Sequence, residues 1–469
     1  MNSIIFQTMD GKSVGIEYDE IQKNLSGELI TPQSHEYEQA RSLWNGMINK
    51  SPSLFVQVNS DEDVVNAVNF ARNHGILLAI KSGGHNIAGK ALVDGGLVID
   101  FSKLTSVTVN EKQQTAKVLP GATLADVDKA TQKHGLLVPT GINSTTGIAG
   151  LTLGGGFGWA TRKFGLTIDS LRSAKLVTAA GELLEVSATQ HQDLFWGIRG
   201  GSSNFGVVTE FEFTLHKAGP EVLAGMVIHP FSEIDDVLAQ YEKAIDNAPD
   251  ELTCWAVVRK APPLPFLPEK WHGKEVVILA MCFIGDIDEG QTATQIIKNI
   301  GEPIVEAVGP MPFVDWQAAF DPLLTEGARN YWKSLDMASI NASTVKEIKD
   351  AVNTLPSDEC EIFIAYVGGE MTKIGENDTP WQNRQTHFTI NVHTRWQNQT
   401  DDKKCLQWTR RLHDSLTKHS MGSVYVNFIP EGDDDSIGKA YGDNFARLKS
   451  IKQEFDPANL FRINQNIQP

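Results

Sequence analysis

The sequence predicts an α+β protein made of two dissimilar parts, and three observations carry that expectation. The first 215 residues hold strand–helix–strand units that stop at glycine turns. Within them, residues 141–158 (GINSTTGIAGLTLGGGFG) carry seven glycines in eighteen positions, interleaved with Ile142, Ile148, Leu151, Leu153 and Phe157. Around residues 216–220 the glycine clusters stop. Alternating strands and helices then run to about residue 424, the pattern of an antiparallel sheet with helices on one face.

The totals fit a soluble globular chain of two or three domains: 469 residues, 41% hydrophobic and 21% charged. A formal charge of −17 with no basic run makes nucleic acid and anionic membranes poor partners, because their phosphates repel the protein as a whole. No apolar run approaches the ~20 residues needed to span a bilayer. The first residues, MNSIIFQTMDGK, lack a basic n-region and a long apolar core, so a cytoplasmic protein is expected. Cys254, Cys282, Cys360 and Cys405 have neither CxxC nor zinc spacing. They read as small buried hydrophobes, and no metal is expected.

Taken in order, residues 36–50 (EYEQARSLWNGMINK) read as a helix or an extended segment, and 51–58 as a strand. Residues 61–74 carry Val64, Val68 and Ala71 at helical spacing, acids in the first turn and Gly75 as the stop. A strand over 77–80 then ends abruptly in Lys81-Ser82-Gly83-Gly84-His85-Asn86. Small residues after a buried strand leave backbone amides bare and close together, a nest for phosphate oxygens, although a Gly-Gly pair is more often a plain turn. Strands over 96–101 and 115–119 follow, then a helix over 123–134 stopped by Gly135.

The glycine-dense segment comes next. A flexible linker would lack its apolar residues, so the backbone is expected to pack against something flat or large. The dinucleotide fingerprint fails here, because GGGFGW has the wrong glycine spacing and no acidic residue ~20 positions on completes the unit. A hairpin over 171–187 turns at Ala180-Gly181, a short helix holds residues 193–196, and GGSSNFG leads into a strand over 207–215.

Strands are expected in the middle part over 254–258, 276–283, 362–366 and 387–395, and helices over 234–248, 291–300, 343–355 and 404–419. Four prolines in residues 261–270 mark an exposed loop. Residues 423–428 (SVYVNF) read as one more strand, and the tail as an amphipathic helix followed by an extended end. Trp255, Phe283, Trp316, Tyr331, Trp332 and Trp381 suit a flat apolar ligand, though scattered aromatics are more often core.

Four stretches in order resemble one family: KSGGHNIAG, PTGINSTTGIAGLTLGGGFGWATRKFGLTIDSL, LFWGIRGGSSNFGVVTEFEF, and the tail YVNF…YGDNFARL…FDPANLFRINQNI. Over nearly its whole length the chain is similar to flavoprotein oxidases of the vanillyl-alcohol oxidase/p-cresol methylhydroxylase type, in the berberine-bridge-enzyme-like branch. The resemblance implies a bipartite FAD domain of the p-cresol methylhydroxylase type, residues 1–215 completed by 425–469. An antiparallel-sheet substrate domain, 216–424, is inserted between them.

It also implies roles for single residues. His85 falls on the histidine that joins the 8α-methyl of the flavin. Lys81, Ser82, Gly83, Gly84, Asn86, Thr140, Gly141, Thr145, Thr146, Gly147 and Gly150 would line the pyrophosphate and ring. Gly155, Gly156 and Gly158 would let that backbone approach, and Val207 and Val208 would hold adenine. Tyr425, Asn427 and the tail Asn464-Gln465-Asn466 would close over the cofactor. Where many relatives carry a second, cysteine link to the flavin this chain has Asn143, and amides do not add to flavin. A single covalent link through His85 is therefore expected. Thr146, of valine size, is compatible with oxygen access, which favours an oxidase.

Flavin oxidation removes a hydride from carbon while a base takes a proton from the neighbouring O–H or N–H. Period-two alternation puts Thr389, Asn391 and His393 on one face of their strand. Asn391 stands where relatives place a base and cannot act as one, which leaves His393 and Tyr425 as candidates. The expected protein is an FAD-dependent oxidase taking a hydride from an alcohol, amine, sugar or alkaloid-like small molecule and passing electrons to molecular oxygen. The rival readings are a flavin-carrying binding protein with little turnover and a dehydrogenase using another acceptor. Oligomeric state is not legible in the sequence.

Overall fold

The computed structural model describes residues 3–469. The first part is built on two sheets. In the four-stranded one, Leu54–Gln57 and Leu78–Lys81 flank Leu97–Asp100 in parallel, and Glu28–Ile30 lies antiparallel at the edge. The helix Asp61–His74 returns the chain between the two parallel strands. Ser60 caps its start by accepting from the Asp63 amide, and Gly75 ends it in the left-handed conformation (φ 64°) that a side chain would disfavour.

The second sheet is antiparallel and five-stranded, in the order Leu183–Ser187, Leu171–Val177, Val207–Thr214, Thr115–Val118, Val107–Asn110. The expected hairpin is present, with Gly181 at positive φ in its turn. The helix expected over 123–134 is an α-helix, Leu124–Thr131, and a 3₁₀ turn, Gln132–His134. A reciprocal capping box between Thr123 and Asp126 starts it.

The middle of the chain forms a seven-stranded antiparallel sheet. Its order is Val305–Pro312, Glu221–Pro230, Glu275–Phe283, Leu252–Lys260, Glu361–Tyr366, Phe388–Trp396, Arg329–Met337. Amphipathic helices, among them Ala342–Val352 and Asp402–Thr417, cover one face; the other turns towards the glycine-rich part. Nine strands of the described residues lie outside the sequence reading, and four of them show why. Val305–Pro312 is broken by Gly309 and Pro310 and sits at the sheet edge, where a missing N–H costs no ladder bond. Glu221–Pro230 is interrupted by Gly225, and Arg329–Met337 hides its periodicity behind buried Asn330, Ser334 and Asp336. The fourth is the edge strand Val107–Asn110, whose alternate residues are exposed.

Two further expectations are corrected. Residues 423–428 are not a strand: Val426–Phe428 is a 3₁₀ turn, held where the Tyr425 amide donates to Ser334 Oγ at 3.2 Å. The helix expected over 291–300 divides into Ile287–Ala293 and Gln295–Lys298, with the buried Thr294 at the joint.

Two buried cations tie the parts together. The Arg162 guanidinium donates to the carbonyls of Ile245, Ala248, Pro249 and Leu252, so it caps the C-terminal end of the helix Ile234–Asp246, where carbonyls lack partners and the dipole is negative. Lys452, on the tail helix Phe445–Phe455, donates to Asp456 (2.7 Å), Asn204 O (2.8 Å) and Phe461 O (3.0 Å). Both side chains of this pair are 0% exposed. Lys452→Met strands the Asp456 charge in the interior and is expected to destabilise the protein by ~3–5 kcal/mol, read as a lowered urea midpoint with unchanged slope.

Candidate active site

The turn after Leu78–Lys81 is where the two halves of the first part meet. Gly84 takes φ 69°, which curls residues 83–86 so that their four backbone amides donate to no protein group among the described residues. Asn86 stabilises the curl from its far side, its Oδ1 accepting from the amides of Ala88 and Lys90 at 3.1 Å. The segment 143–147 packs against this turn. A Cβ on Gly83 would lie 2.6 Å from Gly147 Cα, so the two backbones touch only because both positions are glycine.

That contact brings two hydroxyls to His85. Thr145 Oγ1 lies 3.0 Å from Nε2 and Thr146 Oγ1 3.4 Å from Nδ1. Thr145 donates its only proton to Asn143 Oδ1 (2.7 Å), so it accepts from His85 Nε2–H and the imidazole lone pair resides on Nδ1. The ring stacks on Trp44, with centroids 5.2 Å apart and planes inclined by 21°. Burial holds the His85 pKa down to about 4, and the imidazole is neutral at physiological pH.

Across the cleft stands the seven-stranded sheet. Its register sets Arg259, Glu361, His393 and Trp332 side by side on adjacent strands. The next row towards the sheet interior holds Val257, Phe363, Asn391 and Ser334. Arg259 Nη1 donates to Glu361 Oε2 at 2.5 Å, and His393 Nδ1 lies 2.9 Å from Glu361 Oε1. Burial alone would raise the Glu361 pKa. The Arg259 charge, with the hydrogen bond and charge of His393, outweighs it and brings the carboxyl to about 2. An ionised carboxylate only accepts, so Nδ1 carries the proton, and His393 Nε2 has no partner among the described residues. Asn391 Oδ1 and Trp332 Nε1 are likewise unpartnered.

Tyr425 closes the third side. Its hydroxyl accepts from the Gly156 amide (3.2 Å) and from Asn427 Nδ2 (2.9 Å), and burial pushes its pKa up to about 12. With both lone pairs engaged the phenol can only donate. Burial that keeps the phenol protonated counts against the sequence reading of Tyr425 as a second candidate base, and it does not share a strand with Asn427.

These groups surround a cleft of about 290 Å³ that also exposes Ser82, Gly83, Gly84, Asn86, Gly141, Thr146, Gly147, Gly150, Asn464 and Gln465. A wider recess of about 1190 Å³ shares Trp44, Ser82, Gly83, His85 and Asn143 in its walls and adds Lys81 and Thr145. The Lys81 ammonium itself turns aside to Ala40 O (2.8 Å) and Asp100 (3.8 Å). Thr140 is buried and held by Gln317 (3.0 Å). Gly155, Gly156 and Gly158 do not open the backbone to a ligand: added Cβ atoms would strike the Trp381 ring, the Thr167 side chain and the Thr140 carbonyl. Of the glycines expected at the cofactor, Gly150 is the one whose Cβ would meet open space. Val207 and Val208 are core residues that do not line the cleft, and neither does Asn466. Thr389 shares the Asn391 face but is spent on Asp336 (2.9 Å).

The sequence reading missed Trp44, Arg259 and Glu361 as site residues. A charged residue at the end of one apolar strand, in VVRK, and at the start of another, EIFIAY, is the signal that could have found the last two.

Comparison with known proteins agrees with this geometry. Residues 52–187 match the family described as FAD binding domain, and 424–468 that described as berberine and berberine like. An FAD-linked oxidoreductase of Dictyostelium discoideum is 32% identical over 457 residues, covering 96% of each chain. The (R)-6-hydroxynicotine oxidase of Paenarthrobacter nicotinovorans is 26% identical over 456 residues, covering 95% of this chain and 97% of its own. The crystal structure of 6-hydroxy-D-nicotine oxidase from Arthrobacter nicotinovorans superposes with a TM-score of 0.85 at 26% identity, over 95% of this chain and 98% of that one.

The Glu361 carboxyl gives the site a signature in stability. Its pKa falls from 4.5 to about 2 on folding, so its contribution is complete above pH 4.5 and is lost as pH drops through 2. The loss attributable to it is about 3 kcal/mol. Urea unfolding at a series of pH values should show this acid limb, and Glu361→Gln should abolish its share of the slope while lowering stability at neutral pH.

Proposed function

The chain belongs to the FAD-linked oxidoreductases of the berberine-bridge-enzyme-like branch, and from that premise we propose an oxidase that holds FAD covalently through His85 and uses His393 as its base. The observation that carries the second half is the pair His393–Glu361, with Nδ1 spent on the carboxylate and Nε2 free at the cleft. FAD is the family's cofactor, and the residues present suit it. Four bare amides at 83–86 match a pyrophosphate, and the unpartnered amide oxygens of Asn464 and Gln465 match hydroxyl and N–H donors. The same reading assigns residues 1–215 and 425–469 to the cofactor and 216–424 to the substrate.

The chemistry FAD supplies when bound is acceptance of a hydride from a substrate carbon and onward transfer of the electrons to oxygen as hydrogen peroxide. This chain supplies the rest. His85 offers Nδ1 as the neutral nucleophile for the tether, its proton fixed on Nε2 by Thr145. Asn143 provides no second link. His393 Nε2 takes the proton from a substrate O–H or N–H, and Glu361 stabilises the resulting imidazolium through Nδ1–H. Arg259 keeps Glu361 ionised without entering the cleft. Asn391 orients the reacting group through its amide, and Tyr425 donates. Thr146 leaves room for oxygen, which supports oxidase over dehydrogenase.

Two experiments test this. After denaturing electrophoresis the protein band should fluoresce as flavin; His85→Ala should lose the signal and Asn143→Ala keep it, while free flavin from the unmodified protein would refute the tether. Once a substrate is in hand, His393→Asn should retain FAD but slow flavin reduction by roughly 10²–10⁴-fold in rapid mixing. Peroxide released in proportion to substrate consumed in air would establish the oxidase; turnover only with an artificial acceptor would overturn that part.

A further inference from the structure

We propose that Cys360 and Cys405 form a redox-active pair, which hydrogen peroxide, the product the oxidase releases, closes to a disulfide behind the wall that carries Glu361 and His393. The source of the oxidant rests on the oxidase reading; the chemistry of the pair does not.

The sheet register brings the two thiols together. Glu361 pairs with His393, and both side chains line the cleft. Side chains alternate along a strand, so Cys360, one residue before Glu361, and Thr394, one after His393, face the opposite side. The helix Asp402–Thr417 covers that side, and the Thr394 hydroxyl meets the Thr409 hydroxyl there at 2.5 Å. Cys405 precedes Thr409 by one helical turn and lies on the same stripe, its carbonyl accepting from Thr409 Oγ1 at 2.9 Å. Cys360 Sγ reaches Arg395 O at 3.4 Å, and the Cys360 and Cys405 thiols hydrogen-bond to each other.

The two sulfurs are unequal. Burial pushes the Cys360 thiol well above the ordinary range. Cys405 stands in the first turn of its helix, where the dipole favours an anion. The hydrogen bond from Cys360, with the charge of Lys404, holds its thiol below the ordinary value. The Cys360 S–H, which donates to Arg395 O in the neutral pair, is free to turn to a Cys405 thiolate. Burial pushes both remaining thiols, Cys254 and Cys282, well up. Both sulfurs of the pair are 0% exposed, and the first turn of a helix, which opens most readily, gives peroxide its way in.

The Cys405 thiolate attacks one peroxide oxygen and breaks the O–O bond. Hydroxide leaves, takes the thiol proton and becomes water, and Cys405 becomes a sulfenic acid. The Cys360 sulfur then attacks the Cys405 sulfur, and its proton departs with the hydroxyl as a second water. Two thiols are oxidised to one disulfide while one peroxide is reduced to two waters. The bond closes a loop that contains Glu361, Asn391 and His393, and so ties the cleft wall to the helix behind it.

The test uses the holoprotein, reduced, freed of reductant and treated with added hydrogen peroxide. Thiol titration after denaturation should fall from four to two, and non-reducing peptide mapping should find Cys360 joined to Cys405. The pair should be consumed at least about tenfold faster than Cys254 and Cys282. Cys360→Ser should leave Cys405 as a sulfenic acid that dimedone labels, and Cys405→Ser should leave Cys360 unlabelled. The unmodified protein supplies the first readings, so they do not depend on the variants folding. The oxidised protein should unfold at a higher urea concentration than the reduced one, and dithiothreitol should reverse the shift. Loss of all four thiols at one rate, a disulfide between any other two, or dimedone on Cys360 in place of Cys405 overturns the pair. An unchanged urea midpoint with the disulfide formed overturns the tie between wall and helix. Because the peroxide is added, a protein that makes none of its own loses only the source of the oxidant. A protein that releases peroxide yet forms no disulfide keeps the oxidase reading and loses this pair.

Discussion

Two glycines touching back to back constrain everything at the centre of this molecule. Gly83 ends a parallel strand unit and Gly147 ends the segment that leads into the short helix Ile148–Leu153. Gly147 is anchored independently by its bridge to Thr123, the residue that caps Leu124–Thr131. A single methyl at either glycine would have to push one anchored backbone off the other. The hydroxyls of Thr145 and Thr146 would move with it, and His85 would lose the contacts that fix its proton. The bare amides and the protonation pattern of the His85 ring are thus consequences of one close approach.

On the opposite wall the sheet contains its own control for what Arg259 does. Asp336 and Glu361 are both buried carboxyls on that sheet. Asp336 receives only hydroxyl hydrogen bonds, from Thr389 and Ser423, and burial raises its pKa to about 6. Asp128, buried with Gln317 as its donor, is raised further, to about 7. Glu361 is buried as well yet goes to about 2. The difference is a cation in direct contact, which neutral donors cannot replace at this depth. Without Arg259 the group behind His393 would be pushed in the same direction as Asp336.

How much of this was legible follows from the range of each interaction. The turn at 82–86, the capped helix Asp61–His74 and the alternation that pairs Asn391 with His393 are local, and local patterns survive in a string of letters. Arg259 and Glu361 are separated by 102 positions, and their meeting depends on a strand register that no short window contains. Arg329–Met337 was hidden because its inward residues are polar, satisfied by neighbours that sequence cannot show. Residues 423–428 alternate like a strand, but Ser334 bends them into a turn that presents Tyr425 and Asn427 to the cleft. The glycines at 155–158 were correctly read as tight packing, yet the partners are Trp381, Thr167 and Thr140, because a missing side chain does not say what fills its space.

His85 and His393 come from different parts of the chain, so their separation is set at the junction between them. Trp44 stacks on His85 and meets Trp332 edge-on at 5.5 Å, while Trp332 leans on His393. Beside it, buried Asn45 donates to Ile87 O (2.9 Å) and Asn330 O (3.0 Å) and accepts from the amides of Asn330 (3.0 Å) and Met47 (3.1 Å). One amide thereby spends all its hydrogen-bonding capacity clamping the His85 loop to the strand before Trp332. The faces of Phe363 and Phe428 lie outside this clamp. Side chains there can change the shape of the cleft without altering the distance from His85 to His393.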